Sequence, residues 1–387
     1  MSFWKDSFDS AAFSKLQKGR LQKAKKLIKQ MLLVTGKRTI ENTLVPYDNA
    51  LILLNSAGSQ SNLIQEVHPD KDFRAASEKV VQTVSAFGNE LSLNREVYEA
   101  IASIDIKNAD ETTKFYVEKI LRNFRLAGVD KNEQTRQKVK DLLDELVLIG
   151  QEFSANIRDD KTKVFAESVK ELDGLPQDFI DGHKPNQEGK IELSTDYVDF
   201  VPVMTYAKSE DLRKRMFMAY NNRAPKNSEV LKRMTAKRFE LANLLGFKTW
   251  ADYVTADKMI KSSANASDFI GKIVDLSGER ALREYGELLQ RKQKDQPTAK
   301  AINRWEINYY SELVRKENYD FDSQTVRPFL SYKRVKKGVL DTMGKLFSVK
   351  FRQVKNAPVW YPTVECWEMV EKGNPERGLP RSGYSVS

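Results

Sequence analysis

A chain of 387 residues with 40% hydrophobic and 30% charged side chains is long enough for two or three domains, each with its own core, and too apolar to be a disordered polymer. Its longest apolar runs, such as 50–54, fall far short of the ~20 residues a membrane helix needs, and the start MSFWKDSFDS lacks the apolar stretch of a secretory signal. A single cysteine, Cys366, excludes an internal disulfide and agrees with a reducing compartment, so a cytoplasmic protein with no membrane partner is expected, its net charge of +10 leaving nucleic acid as the class to decide.

Much of that positive surplus sits near the start. Nine Lys or Arg lie from Lys15 to Arg38 with no Asp or Glu among them, and beneath them Phe13, Leu16, Ala24, Leu27, Ile28 and Met31 recur at helical steps. This predicts an amphipathic helix with a basic outer face, which could take RNA, an anionic membrane or an acidic partner. No Arg/Gly repeat, zinc-ligand pair or aromatic strand motif accompanies it, so a solvated face on a packed helix is preferred to a nucleic-acid site.

Helices are predicted next over 41–67, 70–87 and 94–104, then over 111–127, where Phe115, Val117, Ile120, Leu121, Phe124 and Leu126 keep helical spacing up to Gly128. The stretch 131–158 buries a stripe from Val139 to Phe153 and closes a helical N-terminal domain, 1–160. No fixed repeat period supports a solenoid. Near Asp159 the texture changes: 163–167 alternates like a strand, 174–176 and 182–190 are loop chemistry, and 190–193 is a second short strand. A second helical block runs over 209–347, and its long segment 266–294 opens at Ser267, a plausible N-cap. Alternation resumes over 364–370, with Val364, Cys366, Glu368 and Val370 on one side and Trp367 and Met369 on the other. Gly and Pro then crowd the last fifteen residues, which read as a frayed tail. The fold class is mainly α with a small β hairpin.

The chemistry the residues could support is narrow. His68 and His183 stand 115 positions apart and neither lies in an H-x-x-x-H context, whereas a helical zinc site needs two imidazoles one turn apart. Both read as plain surface or turn residues. One Cys with two distant His leaves little room for a Cys-His nucleophile; G-x-S-x-G and G-x-x-x-x-G-K-[ST] do not occur.

From Asp211 the sequence carries a longer signal. The stretch DLRKRMFMAYNNRAPKNSEVLKRMTAKRFELANLLGFKTWADYV resembles the segment shared by thimet oligopeptidase, neurolysin and bacterial oligopeptidase A ahead of their catalytic centre. Ala219, Tyr220 and Arg223 match A-Y-x-x-R, Asn227 follows, and Leu241, Ala242, Leu244, Leu245, Gly246, Phe247, Trp250 and Ala251 match the helix end behind it. Trp305, Glu306, Tyr309 and Tyr310 resemble the family's W-[DE]-x-x-Y-Y, and APVWYPTVECWEM the strand pair that leads into its catalytic sheet. Before Asp211 the likeness is looser, chiefly helix order and TIENTLVPYD at Thr39 to Asp48, so the resemblance covers 39–373.

That resemblance implies an N-terminal helical domain (1–160), the first part of a peptidase domain (161–350), and interrupted sheet strands with a disordered tail (351–387). It also implies an oligopeptide substrate inside a channel that excludes folded proteins. In the family, zinc held by the two His of H-E-x-x-H and a later Glu activates water for peptide hydrolysis. Nothing here matches that motif, so no catalytic, metal or cofactor-binding residue is assigned. The chain is expected to be a truncated, inert, monomeric N-terminal portion of a zinc oligopeptidase, with a free-standing helical binding module as the alternative. Arg213, Arg215, Arg223, Trp305, Tyr309 and Tyr310 could be promoted to substrate contacts, but Arg on helices and Trp-Tyr-Tyr at helical spacing read first as ion pairs and core. The strand over 364–370 should lack its return partner, leaving unpaired backbone groups and poor solubility or disorder after about Val354.

Overall fold

A computed structural model describes residues 9–357, 359–371, 374–378 and 384–386. Helix α1 (Ser10–Leu32) starts where the Asp9 carboxylate accepts from the Ala12 N–H at 2.6 Å. A π turn (Ile40–Leu44) leads into α2 (Val45–Val67) through a capping box, Thr39 N–H to Asn42 Oδ1 at 2.8 Å and Asn42 N–H to Thr39 Oγ1 at 3.3 Å. Asp70, Asn94 and Asp110 cap α3 (Lys71–Ser92), α4 (Arg95–Ala102) and α5 (Glu111–Ala127), each side-chain oxygen accepting from a first-turn N–H, and α6 (Glu133–Arg158) follows. Strand β1 (Lys163–Ala166), a 3-10 turn (Val169–Leu172), α7 (Gln177–Gly182) and β2 (Ile191–Ser194) form the β element. Then come α8 (Tyr197–Tyr206), α9 (Glu210–Asn221), α10 (Asn227–Leu245), α11 (Trp250–Thr255), α12 (Ser263–Asp295) and α13 (Ile307–Tyr319). A 3-10 turn (Ser323–Phe329) precedes α14 (Tyr332–Leu346), β3 (Val349–Gln353), β4 (Val364–Glu371), β5 (Asn374–Gly378) and β6 (Tyr384–Val386).

The chain divides into two compact units, one made of Met1–Ser154, Glu229–Val254 and Leu340–Ser387, the other of Ala155–Ser228 and Thr255–Val339. In the first unit α1 buries Phe13, Gln17, Leu21, Ala24, Ile28 and Met31, a stripe at steps of three and four, and leaves Lys15, Lys18, Lys23, Lys25, Lys26 and Lys29 in solvent. Small residues at the crossings, Ala24, Ala50, Ala57 and Ala100, let α1 to α4 close around Val97 and Ile101. A satellite core joins Leu241 and Leu245 of α10 to Leu93, Val139 and Leu142. At its edge Gly128 ends α5 with φ of +96°, and a Cβ there would stand 2.7 Å from Leu245 Cδ2, so only glycine fits both the turn and the approach.

The C-terminal strands of this unit correct one expectation. Strand β4 pairs antiparallel with β3, Val349 opposite Glu371 and Gln353 opposite Trp367, and also with β5 and β6. The return partner is thus present: β3 pairs with 367–371 of β4, β6 with 364–366 and β5 with 370–371, and Val364 and Val370 are buried. The sequence showed β4 alternating but held no pattern from which the partners in the Gly/Pro-rich segment could be read. The rest of the tail expected to fray, 372–373, 379–383 and 387, lies outside the described residues.

In the second unit β1 and β2 form an antiparallel hairpin with Lys163 opposite Ser194, and Val164, Ala166, Ile191 and Leu193 point to one covered face. Val203 and Met204 of α8 and Leu212 and Met216 of α9 fill that face. Helices α7 and α8 were not foreseen: 177–182 is too short to show a period, and α8 is apolar nearly all round with Pro202 inside it. Helix α12 begins three residues earlier than expected. Ser262 is its N-cap, accepting from the Asn265 N–H at 3.1 Å, and Ser267 lies inside the helix. The fold is mainly α, as the sequence indicates, and no helix among the described residues is long and apolar enough to cross a membrane.

Candidate functional site

Trp305, Glu306, Tyr309 and Tyr310 meet Arg213 in one cluster of the second unit. Ser209 caps α9, its hydroxyl accepting from the Leu212 N–H at 3.2 Å, and this sets Arg213 on the inner face. Arg213 is 1% exposed; its Nη1 donates to the carbonyls of Ala207 at 2.5 Å and Lys208 at 3.1 Å, which α8 leaves unpaired at its end. The guanidinium lies 4.0 Å from the centre of the Tyr309 ring on α13. Tyr310 beside it is buried, and that burial, reinforced by Asp295 and Glu306, pushes its hydroxyl up to about 12.

Trp305 and Glu306 complete the cluster. Trp305 packs near Phe217 of α9 and donates its indole N–H to Glu210 Oε1 at 3.4 Å. Burial pushes the Glu210 carboxyl up, but bonds from Gln296 and Trp305 and the charges of Lys292 and Arg213 outweigh it, and the group titrates below the usual carboxylate range. Glu306, with no exposed surface, meets the Lys292 ammonium of α12 at 2.6 Å and accepts from the Asn303 N–H at 2.7 Å. Two such groups out of water are tolerated because each is the other's partner. Glu306 was legible as a motif residue; its partner was not, because nothing in the sequence marks Lys292 among its charged neighbours.

The other arginines are also structural. Arg215 holds Glu171 at 2.8 Å and Asp211 at 2.6 Å, and bonds the Phe165 carbonyl of β1. Arg223 lies 4.0 Å over the Tyr220 ring and donates to the carbonyl of Thr195 at 3.4 Å. The A-Y-x-x-R motif thus ends in a corner, where Ala224 takes φ of +48° and its N–H is held by Asp160 Oδ2 at 2.7 Å. Asn227, the next motif residue, accepts from the Asn156 amide at 2.9 Å. These side chains turn their polar atoms toward the protein: Arg215 makes the expected ion pairs, whereas Arg213 and Arg223 bond carbonyls and lie over tyrosine rings.

Of the two histidines, His183 differs from expectation, while His68 sits in the turn after α2 as expected. His183 is not a plain loop residue: its Nδ1 lies 2.8 Å from the Phe179 carbonyl and its Nε2 3.1 Å from Asp199 Oδ1, with the ring stacked 4.1 Å from that of Phe179. Asp199 also accepts from the Ser194 N–H and hydroxyl, each at 2.7 Å, so the pair ties the 182–190 loop to β2 and α8. His68 accepts from the Asp70 N–H at 3.1 Å and stacks on Phe73, and burial lowers its pKa. A catalytic zinc needs imidazole nitrogens with open lone pairs and a carboxylate beside them. His183 does not fit that need, because both its ring nitrogens are taken by protein groups, and His68 Nδ1 is taken by the Asp70 N–H. Among the described residues no three His, Cys, Asp or Glu are grouped to hold a metal ion.

In the first unit a cavity of about 570 Å³ opens between α2, α3 and α5, where Gly58 and Gly88 leave room and Asn55, Asn89 and Asn123 supply amides. Tyr47, Ile120 and Phe124 of its lining were legible as motif or stripe residues, but its amides were not, since Asn and Gly on helix surfaces carry no motif.

Comparison with known proteins gives this arrangement a context. Residues 203–384 match the model of peptidase family M3. The chain is 27% identical over 361 residues to the thimet-like oligopeptidase of Dictyostelium discoideum, covering 89% of this chain and 54% of that protein. It is 25% identical over 361 residues to oligopeptidase A of Haemophilus influenzae, covering 88% and 53%, and 26% identical over 343 residues to saccharolysin of Saccharomyces cerevisiae, covering 82% and 48%. The chain spans about half the length of these curated relatives.

Proposed function

We propose, from the premise that this chain is kin to the thimet oligopeptidase and oligopeptidase A peptidases, that it is the helical scaffold portion of a zinc-dependent endopeptidase acting on short peptides in the cytoplasm. The observation that carries the reading is the cluster of Arg213, Trp305, Glu306, Tyr309 and Tyr310: the residues that resemble the family most closely are committed to each other, inside the segment matched to peptidase family M3. They build a rigid wall and present no nucleophile, base or metal ligand. The division into a helical domain (1–160), a first peptidase part (161–350) and strands after 351 goes with this reading, as does a monomeric state.

On this reading the zinc and the residues that polarise a peptide carbonyl come from polypeptide outside these 387 positions, and the chain by itself leaves peptides intact. The test is to incubate the purified chain with one equivalent of zinc and a quenched fluorescent peptide, with and without a chelator. No turnover and no stoichiometric zinc are expected. Cleavage that a chelator abolishes would overturn the proposal.

A further inference from the structure

Helix α12 is 33 residues long, and among its described side chains only Lys292 is buried. Its last third is anchored on α13: Arg291 and Lys294 meet Glu317 at 2.5 and 2.8 Å, and Lys292 meets Glu306. The first two-thirds are different. Phe269, Ile270, Ile273, Val274 and Leu276 stand in solvent, with Ile270 61% and Leu276 83% exposed. At about 100° per residue these five fall within half of the helix circumference, while Asp268, Lys272, Asp275 and Glu279 take the other half. An amphipathic helix whose apolar half faces water is shaped to be covered, and a contiguous apolar patch of this kind marks an interaction surface.

We propose that this face of α12 is the seat of the polypeptide corresponding to the half of the relatives' length that the chain does not span, docked through an apolar helical or sheet face of its own. This rests on the reading given under Proposed function. Two observations select that occupant. The stripe lies inside the segment matched to peptidase family M3, where the relatives carry the same segment within proteins about twice as long as the matched stretch. The charged half of α12 mixes both signs, Asp268 and Glu279 with Lys272 and Arg283, so it offers no single-sign field for a nucleic acid or a membrane surface. Apolar burial is what remains to hold a partner there.

The experiment co-expresses the full 387-residue chain, tagged, with the part of the Dictyostelium thimet-like oligopeptidase that lies outside the matched region. The same part paired with its own matched half serves as the control for folding. Capture in one-to-one ratio is expected, with residues 269–276 losing reactivity to a carbene footprinting reagent, and with the double variant Ile273→Asp, Val274→Asp losing capture at least tenfold at unchanged far-UV circular dichroism. No capture where the control pairs would overturn the proposal, and so would capture that leaves 269–276 as reactive as in the chain alone. Light scattering that finds the chain alone as a dimer, with 269–276 already protected, assigns the face to a second copy and overturns it too. Because capture is read without activity, a captured complex that cleaves no peptide fails the functional reading and leaves the interface standing.

Discussion

Glu306 is a motif residue whose charge is committed to a partner inside the protein. Its carboxylate and the Lys292 ammonium are both out of solvent, 2.6 Å apart, and the pair is further bonded to Asn303 N–H and the Ala301 carbonyl. Removing one charge strands the other, so Glu306→Ala is expected to cost about 3–5 kcal/mol in urea denaturation. Lys292→Met combined with Glu306→Leu removes both charges and should cost about 1–3 kcal/mol, chiefly from the orphaned Asn303 N–H. If the double variant proves no more stable than the single one, the pair is not the closed unit described here. A second residue-scale effect concerns alkali. The Tyr116 hydroxyl donates to Asp48 at 2.7 Å, and burial, with that carboxylate, raises its pKa to about 12. The unfolded chain ionises near the ordinary value of about 10, so between about 10 and 12 the folded state binds the extra proton and stability falls as pH rises. Thermal melting across that window should be less pH-dependent in Tyr116→Phe than in the native chain.

At the scale of the element, caps decide where helices begin, and α12 gives a direct check. Ser262 accepts from the Asn265 N–H, whereas Ser267 lies within the helix with no N–H to receive. Ser262→Ala is expected to destabilise the second unit by about 1 kcal/mol and Ser267→Ala by no more than a few tenths. Circular dichroism with urea titration separates the two; equal losses would return the start of the helix to Ser267. The contrast also marks how far the sequence could be read. Helix α5 was legible to the residue because its apolar spacing runs up to Gly128, which closes it, and the existence of α1, though not its bounds, was legible from its apolar stripe. Helix α8 was not, since a segment apolar nearly all round has no period to detect and Pro202 argues against it. The partners of β4 were hidden for another reason: strand pairing is a long-range property, and β5 lies in a segment whose Gly and Pro content advertises a turn. The candidate site divides the same way. Trp305, Glu306, Tyr309 and Tyr310 were visible as a spaced motif, while Lys292 and Asp199 gain their meaning only from partners brought to them by the fold.

For the molecule as a whole the open physical issue is what a net charge of +10 does. Six lysines of α1 point into solvent on one face, which concentrates positive potential there, yet a field of this kind binds anions without regard to their structure. Two quadruple variants separate a general charge effect from a local site. One carries Lys→Glu at Lys23, Lys25, Lys26 and Lys29 of α1; the other at Lys161, Lys184, Lys226 and Lys248, which are exposed and scattered. Each exchange lowers the net charge by two, so both variants reach the same total, and since all eight side chains are exposed each should keep its fold within about 0.5 kcal/mol per site. If the basic face is only a solvated flank, both should elute from immobilised RNA at nearly the same, lowered salt concentration, because retention follows total charge. If α1 is a binding site, its variant alone should lose the steep dependence of retention on salt, since the phosphates it neutralised no longer release counterions. The arrangement favours the first outcome: the stripe beneath those lysines, Leu21, Ala24 and Ile28, is fully used in packing α1 into the core, and among the described residues α1 carries no aromatic on its outer face, the nearby Phe87 ring of α3 being covered by Lys25.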